Sequence, residues 1–112
     1  MEKIDQKYAT FSETVFHILV ALVKPNHGYG VMKQVEESTG GEMQIGAGTL
    51  YGAFQALEKD GLIQKAGEEE RRKYYSLTPK GKQILAYLVR RSERMTQNGL
   101  KIIDLLVESR QQ

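Results

Sequence analysis

Few residues of this chain could do covalent chemistry. It has no cysteine, which excludes disulfides, thiolate metal sites and cysteine nucleophiles. His27 has no carboxylate at metal-ligand spacing, His17 is the only other histidine, and no nucleophile–base pair or glycine-rich phosphate loop is present. Catalysis, a metal and a cofactor are therefore not expected, and His27 is assigned to a turn. What remains is binding chemistry. Arg71, Arg72 and Lys73 stand in a row, with Lys33 and Lys59 elsewhere. Such cations hold a phosphate backbone in place and make its binding salt-dependent without reading its sequence. Thr49, Tyr51, Gln55 and Lys59 could hydrogen-bond to base edges.

Those polar residues fall within GAGTLYGAFQALEKDGLI, residues 46–63. Leu50, Ala53, Phe54 and Leu57 recur at i, i+3, i+4, i+7, which predicts a helix with that face in a core. Gly48, Gly52, Gln55, Ala56 and Lys59 lie opposite. Glycine there costs helix stability but covers little surface, so the backbone can come close to something large and rigid. Gly46 is the predicted N-cap and Gly61 the stop.

Other elements must position this helix. Residues 1–9 are polar and expected to be flexible. Thr10 and Glu13 stand at capping-box spacing, which predicts a first helix over about 11–24, ended by Pro25. Its apolar stripe of Phe11, Val15, Ile18, Leu19 and Leu22 is widened by Phe16, Val20 and Val23, so a second cover, another subunit, is expected. A second helix follows His27 and stops at Gly40-Gly41, with Val31, Met32 and Val35 inward. After the third helix, residues 62–66 and 71–77 read as two strands joined by a turn over 67–70, a ribbon or wing that leans on the helices through Ile63, Tyr75 and Leu77.

Thr78-Pro79 is a strong helix start. From there to about Glu108 only Gly99 interrupts a predicted helix of roughly 45 Å, and it marks either a kink or a place where two helices approach closely. Leu88, Met95 and Ile102 repeat every seven residues, a seam for another helix. The predicted dimer interface is Phe11, Phe16, Leu85, Leu88, Met95, Gly99, Ile102, Ile103 and Leu106. A candidate effector pocket in that seam comprises Phe16, Tyr87, Leu88 and Met95. The fold class is thus mainly α with a small two-stranded wing: a winged helix-turn-helix over 10–77 and a C-terminal dimerisation helix over 78–112.

The chain is one ordinary domain of 112 residues, 40% hydrophobic and 27% charged. No apolar run is long enough to span a bilayer and no signal-peptide pattern is seen, so a cytoplasmic protein is expected. Charge is uneven: residues 1–61 carry 5 Lys+Arg against 8 Asp+Glu, and residues 62–112 carry 11 against 6. A polyanion would be held mainly by the second half. The major groove of B-DNA admits a helix and the wing can lie along the neighbouring backbone. The competing reading is a winged-helix module that binds another protein, and steep salt dependence would separate the two.

Three separated motifs, HGYGVMKQVEE from 27, GTLYGAFQALEKDGLI from 48 and RRKYYSLTPKG from 71, make the chain resemble the PadR family of bacterial transcriptional regulators over about residues 10–85. The short terminal helix is similar to that of its compact subgroup. The resemblance implies a homodimeric repressor that binds an inverted-repeat operator in double-stranded DNA and lets go when a small hydrophobic or aromatic effector binds. It places Tyr51 and the small residues around it in the groove helix and Arg71, Arg72 and Lys73 in the wing, with Lys33 reaching the backbone beside them. The chain departs from the family in three respects. Gly46 stands where relatives often have Ser or Asn. The wing tip Glu68-Glu69-Glu70 is acidic, so it either points away from DNA or is neutralised by Arg71 and Arg72. There is no Trp, which some compact relatives use to bind flat ligands.

Overall fold

The computed structural model describes Tyr8 and residues 11–111, the last four as backbone only. The elements run α1 (Glu13–Ala21), α2 (Gly28–Ser38), α3 (Ala47–Lys59), β1 (Ile63–Glu69), β2 (Arg72–Leu77), α4 (Pro79–Leu100) and α5 (Ile103–Gln111). Ile18, Leu19, Leu22, Val31, Val35, Leu50, Leu62 and Ile63 are fully enclosed, one or two from each early element. At roughly 1.5–3 kcal/mol for each large apolar side chain buried, this shared core holds the helices and the wing together.

Three expectations about the amino-terminal half need correction. Within the segment expected to be flexible, Tyr8 is described and is buried; its ring meets Phe11 edge-on at 5.2 Å. A lone ring in a mostly polar stretch leaves no periodicity to reveal that it packs. The Thr10 half of the expected capping box lies outside the described residues, and α1 is capped by Ser12, whose Oγ accepts from the Val15 N–H at 3.2 Å. The helix also ends at Ala21, short of Lys24, because the chain turns to meet the wing. The Leu22 carbonyl accepts from the Leu77 N–H, and Asn26 exchanges two backbone bonds with Tyr75 at 2.9 and 2.8 Å. That bridge adds a third edge to a ribbon that would be marginal alone.

The wing turn sits two residues later than expected. β1 and β2 pair antiparallel with Glu69 opposite Arg72 and Glu68 opposite Lys73, so the loop is Glu70-Arg71 alone, with φ of 52° and 67°. Both lie in the left-handed region that a two-residue hairpin turn of the primed type requires, usually at Asn-Gly. Gly67 makes instead a bulge between Lys65 and its own pairing with Tyr74, at φ 135°.

Thr78 caps α4: its Oγ1 accepts from the Gly81 N–H at 3.0 Å while its hydroxyl donates to the Gly61 carbonyl. This knot presses the first turn of α4 onto the start of β1, and a Cβ on Gly81 would lie 3.0 Å from the Leu62 carbonyl carbon and closer still to its oxygen. Backbone on both sides cannot give way. Gly81→Ala is therefore expected to destabilise the fold by about 2–3 kcal/mol, read as a lower midpoint in urea denaturation.

The single long terminal helix is in fact two. The Ile102 N–H bonds to the Gly99 carbonyl, a tight turn in place of the regular ladder, and α5 resumes beyond it. Glycine is the weak point at which such a helix bends. Leu85 and Leu88, expected in a dimer seam, are buried in their own chain's core, and Phe11, Phe16 and Tyr87 are half-buried against it. The domain reaches only that far along α4. Beyond it, Met95, Ile102, Ile103 and Leu106 are exposed. The arm gives a radius of gyration of 16.6 Å, against about 13 Å for a compact chain of this size.

Candidate nucleic-acid interface

The residues around His27 bring α2, α3 and the wing together. The Asn26 Oδ1 accepts from the His27 N–H at 2.9 Å, and the Asn26–Tyr75 bridge fixes this corner to β2. His27 then caps α2, its Nδ1 accepting from the Gly30 N–H at 3.2 Å. Its ring stands edge-on to Tyr74 at 5.1 Å, and its Nε2 lies 3.5 Å from an Arg72 guanidinium nitrogen. The turn role expected for His27 is what the structure shows, but the ring also reaches the wing.

The glycines of this corner have steric reasons. A Cβ on Gly28 would meet the Tyr51 ring, with Cζ 2.8 Å away, and one on Gly30 would strike the Asn26 side chain. Tyr51 thus lies over the start of α2, half exposed, and edge-on to Phe54 at 6.1 Å. Phe54 carries the contact on to Tyr75 at 5.0 Å. An aromatic chain of Tyr51, Phe54 and Tyr75 sets the angle between α3 and the wing. The packing partner of Tyr51 is the second helix.

The result is an open cleft of about 450 Å³ whose lining includes Tyr51, Gln55, Arg71, Arg72 and Lys73, five of the expected contact residues, together with His27. One carboxylate, Glu58, borders it. Lys33 stands apart, in an adjoining groove of about 740 Å³ beside Glu36 and Glu37. Gly48, Thr49 and Lys59 lie exposed on α3, outside the cleft lining. A Cβ on Gly46, Gly48 or Gly52 would meet nothing within 4 Å. Across the ribbon, Glu69 and Glu68 are register partners of Arg72 and Lys73, yet no ion pair within 4 Å joins them among the described residues. Of the two alternatives for the acidic tip, neutralisation by direct ion pairs with Arg71 or Arg72 is not seen among the described residues. His27 and Tyr29, which also line the cleft, are not among the expected contact residues. For His27 the legible signal was a histidine at a helix start, where capping occupies one ring nitrogen and leaves the other free.

Among the described residues no cluster of three or more His or acidic side chains could hold a metal, and no helix is long and apolar enough to cross a membrane.

The model of the transcriptional regulator PadR-like family matches residues 15–87. Protein X of Lysinibacillus sphaericus is 34% identical over 91 residues, covering 78% of this chain and 80% of that protein. A transcriptional regulator of Clostridium thermocellum superposes with a TM-score of 0.67 at 32% identity, over 80% of this chain and 91% of that one. Bacillus subtilis PadR, solved in complex with operator DNA, superposes with a TM-score of 0.59 at 25% identity, over 68% of this chain and 46% of that one. With three motifs in order, a wing, and a helix whose exposed face is kept small, this chain belongs to the PadR-like family of transcriptional regulators.

Proposed function

We propose that this protein binds double-stranded DNA as a homodimeric repressor, with α3 entering the major groove and the wing holding the adjacent backbone. The observation that carries the reading is the outer face of α3. Gly48 and Gly52 each weaken the helix by about 1 kcal/mol relative to Ala, and nothing in the chain itself needs the space they leave. A groove wall does, and the wing cations stand beside that face to hold the phosphates. Thr49, Tyr51, Gln55 and Lys59 read base edges; Lys33 reaches the flanking backbone.

The dimer follows from the arm. Six of the eight residues from Leu100 to Val107 are apolar, and each is at least 45% exposed. Val20 on α1 and Val23 just beyond it add to the uncovered apolar surface. A second copy that covers the arms gives the two-fold symmetry that an inverted repeat demands. Release by a small apolar or aromatic effector would use the border of that seam, at Phe16, Tyr87 and Met95. Leu88, sealed in the protomer core, backs the site.

The direct test is a mobility-shift salt titration on the promoters of its own gene and of the neighbouring gene. Binding that weakens steeply with salt supports DNA recognition; none at low salt favours a protein-binding module. Gly48→Ala and Gly52→Ala sharpen it. Each is expected to raise thermal stability, by about 1 kcal/mol, while lowering operator affinity. Tighter or unchanged binding would place the groove contact elsewhere.

A further inference from the structure

We infer that His27 and Arg72 together grip one phosphate of the DNA backbone in each half-site, so that the cap of α2 is also a DNA contact. This rests on the DNA-binding reading above. The argument is one of hydrogen-bond inventory. The Nδ1 of His27 accepts from the Gly30 N–H, so on that nitrogen the ring carries a lone pair. A neutral imidazole with Nδ1 as acceptor has its proton on Nε2, which is then a donor. Facing it at 3.5 Å is an Arg72 nitrogen, and guanidinium has no acceptor at all. Two donors therefore point at the same space and cannot satisfy each other.

What the pair lacks is an acceptor placed between them. Neither the carboxylate that borders the cleft, Glu58, nor the register partner of Arg72, Glu69, supplies it: neither forms an ion pair with Arg72 within 4 Å. The space opens instead to the cleft that holds Tyr51, Gln55, Arg71 and Lys73. A phosphate diester oxygen carries negative charge and accepts from several donors at once, which suits two converging N–H groups. The ring is held ready for it by the Gly30 bond on one side and Tyr74 on the other, so little order is lost on binding. Because Asn26 ties the same corner to β2, the phosphate fixes the angle of the wing relative to α2 as well as adding affinity.

The test uses His27→Ser, which keeps an N-cap acceptor but removes the donor, with His27→Asn as a second capping variant. Promoter duplexes carrying one neutral methylphosphonate at a time are titrated with wild type, His27→Ser and Arg72→Ala. Wild type is expected to lose affinity at one phosphate per half-site at which each variant, keeping only one of the two donors, loses clearly less, and His27→Ser is expected to bind the unmodified duplex about tenfold more weakly per half-site. Nitrogen-15 shifts of the free protein should show His27 as the Nε2–H tautomer. The inference is overturned if both capping variants bind as wild type does, if the same phosphates matter equally in all proteins, or if the proton is found on Nδ1. Each of these leaves DNA binding by the wild type intact. Wild type that binds no duplex at low salt overturns the DNA reading and this inference with it.

Discussion

Arg72→Ala combined with Lys73→Ala should weaken operator binding roughly a thousandfold at about 0.1 M salt, with folding unchanged. Both side chains are exposed on β2 and line the cleft, so their loss leaves the core intact. Each phosphate contact contributes about 0.9 to the slope of log affinity against log salt, and a dimer loses four contacts, or roughly three to four units. The register adds to the effect. Without Arg72 and Lys73 the wing keeps Glu68, Glu69 and Glu70 against Lys65 and Arg71, so it turns from weakly attractive to repulsive toward phosphate. Fluorescence anisotropy at several salt concentrations measures affinity and slope together. A loss of affinity with the slope unchanged would mean that these residues read bases and do not grip the backbone.

Ile102→Glu with Leu106→Glu should convert the protein to a monomer. These residues are 48% and 55% exposed and lie one turn apart where α5 leaves the tight turn after Gly99. In a paired arm the double substitution buries four carboxylates, each costing several kcal/mol without a partner, which exceeds what a typical interface can spare. On the isolated chain the same charges face water and cost almost nothing. Light scattering should show the mass of one chain with an unaltered helical spectrum, and operator affinity should fall toward that of a single half-site. A dimer that survives the substitution would place the interface on α1 and the proximal part of α4.

The placement of elements was largely legible because it rests on local rules. Leu50, Phe54 and Leu57 repeat with the helical period and are buried, Gly46 and Gly61 bound α3, and Thr78-Pro79 starts α4 where the cap and the fixed proline φ require. The errors also have local causes. Local turn propensity centres the hairpin on 67–70, beginning at Gly67, the residue best able to turn, whereas register with β2 demands a two-residue loop at Glu70-Arg71. In the terminal helix Gly99 marks either a kink or a close approach of two helices, and a period of seven in apolar residues does not choose between them; the tight turn from Gly99 to Ile102 does.

By itself, then, the sequence determined which residues face a core, which helix keeps a small outer face, and that the cations follow it on a β ribbon, since these depend on spacing along the chain. Only the tertiary structure decided that Tyr51 packs over Gly28, that Leu85 and Leu88 are spent on the protomer's own core, and that His27 faces Arg72 across 45 positions of sequence. Those are contacts between separate elements, set by how helices and wing share one buried volume. Periodicity records which side of an element is inside, but not what meets it there.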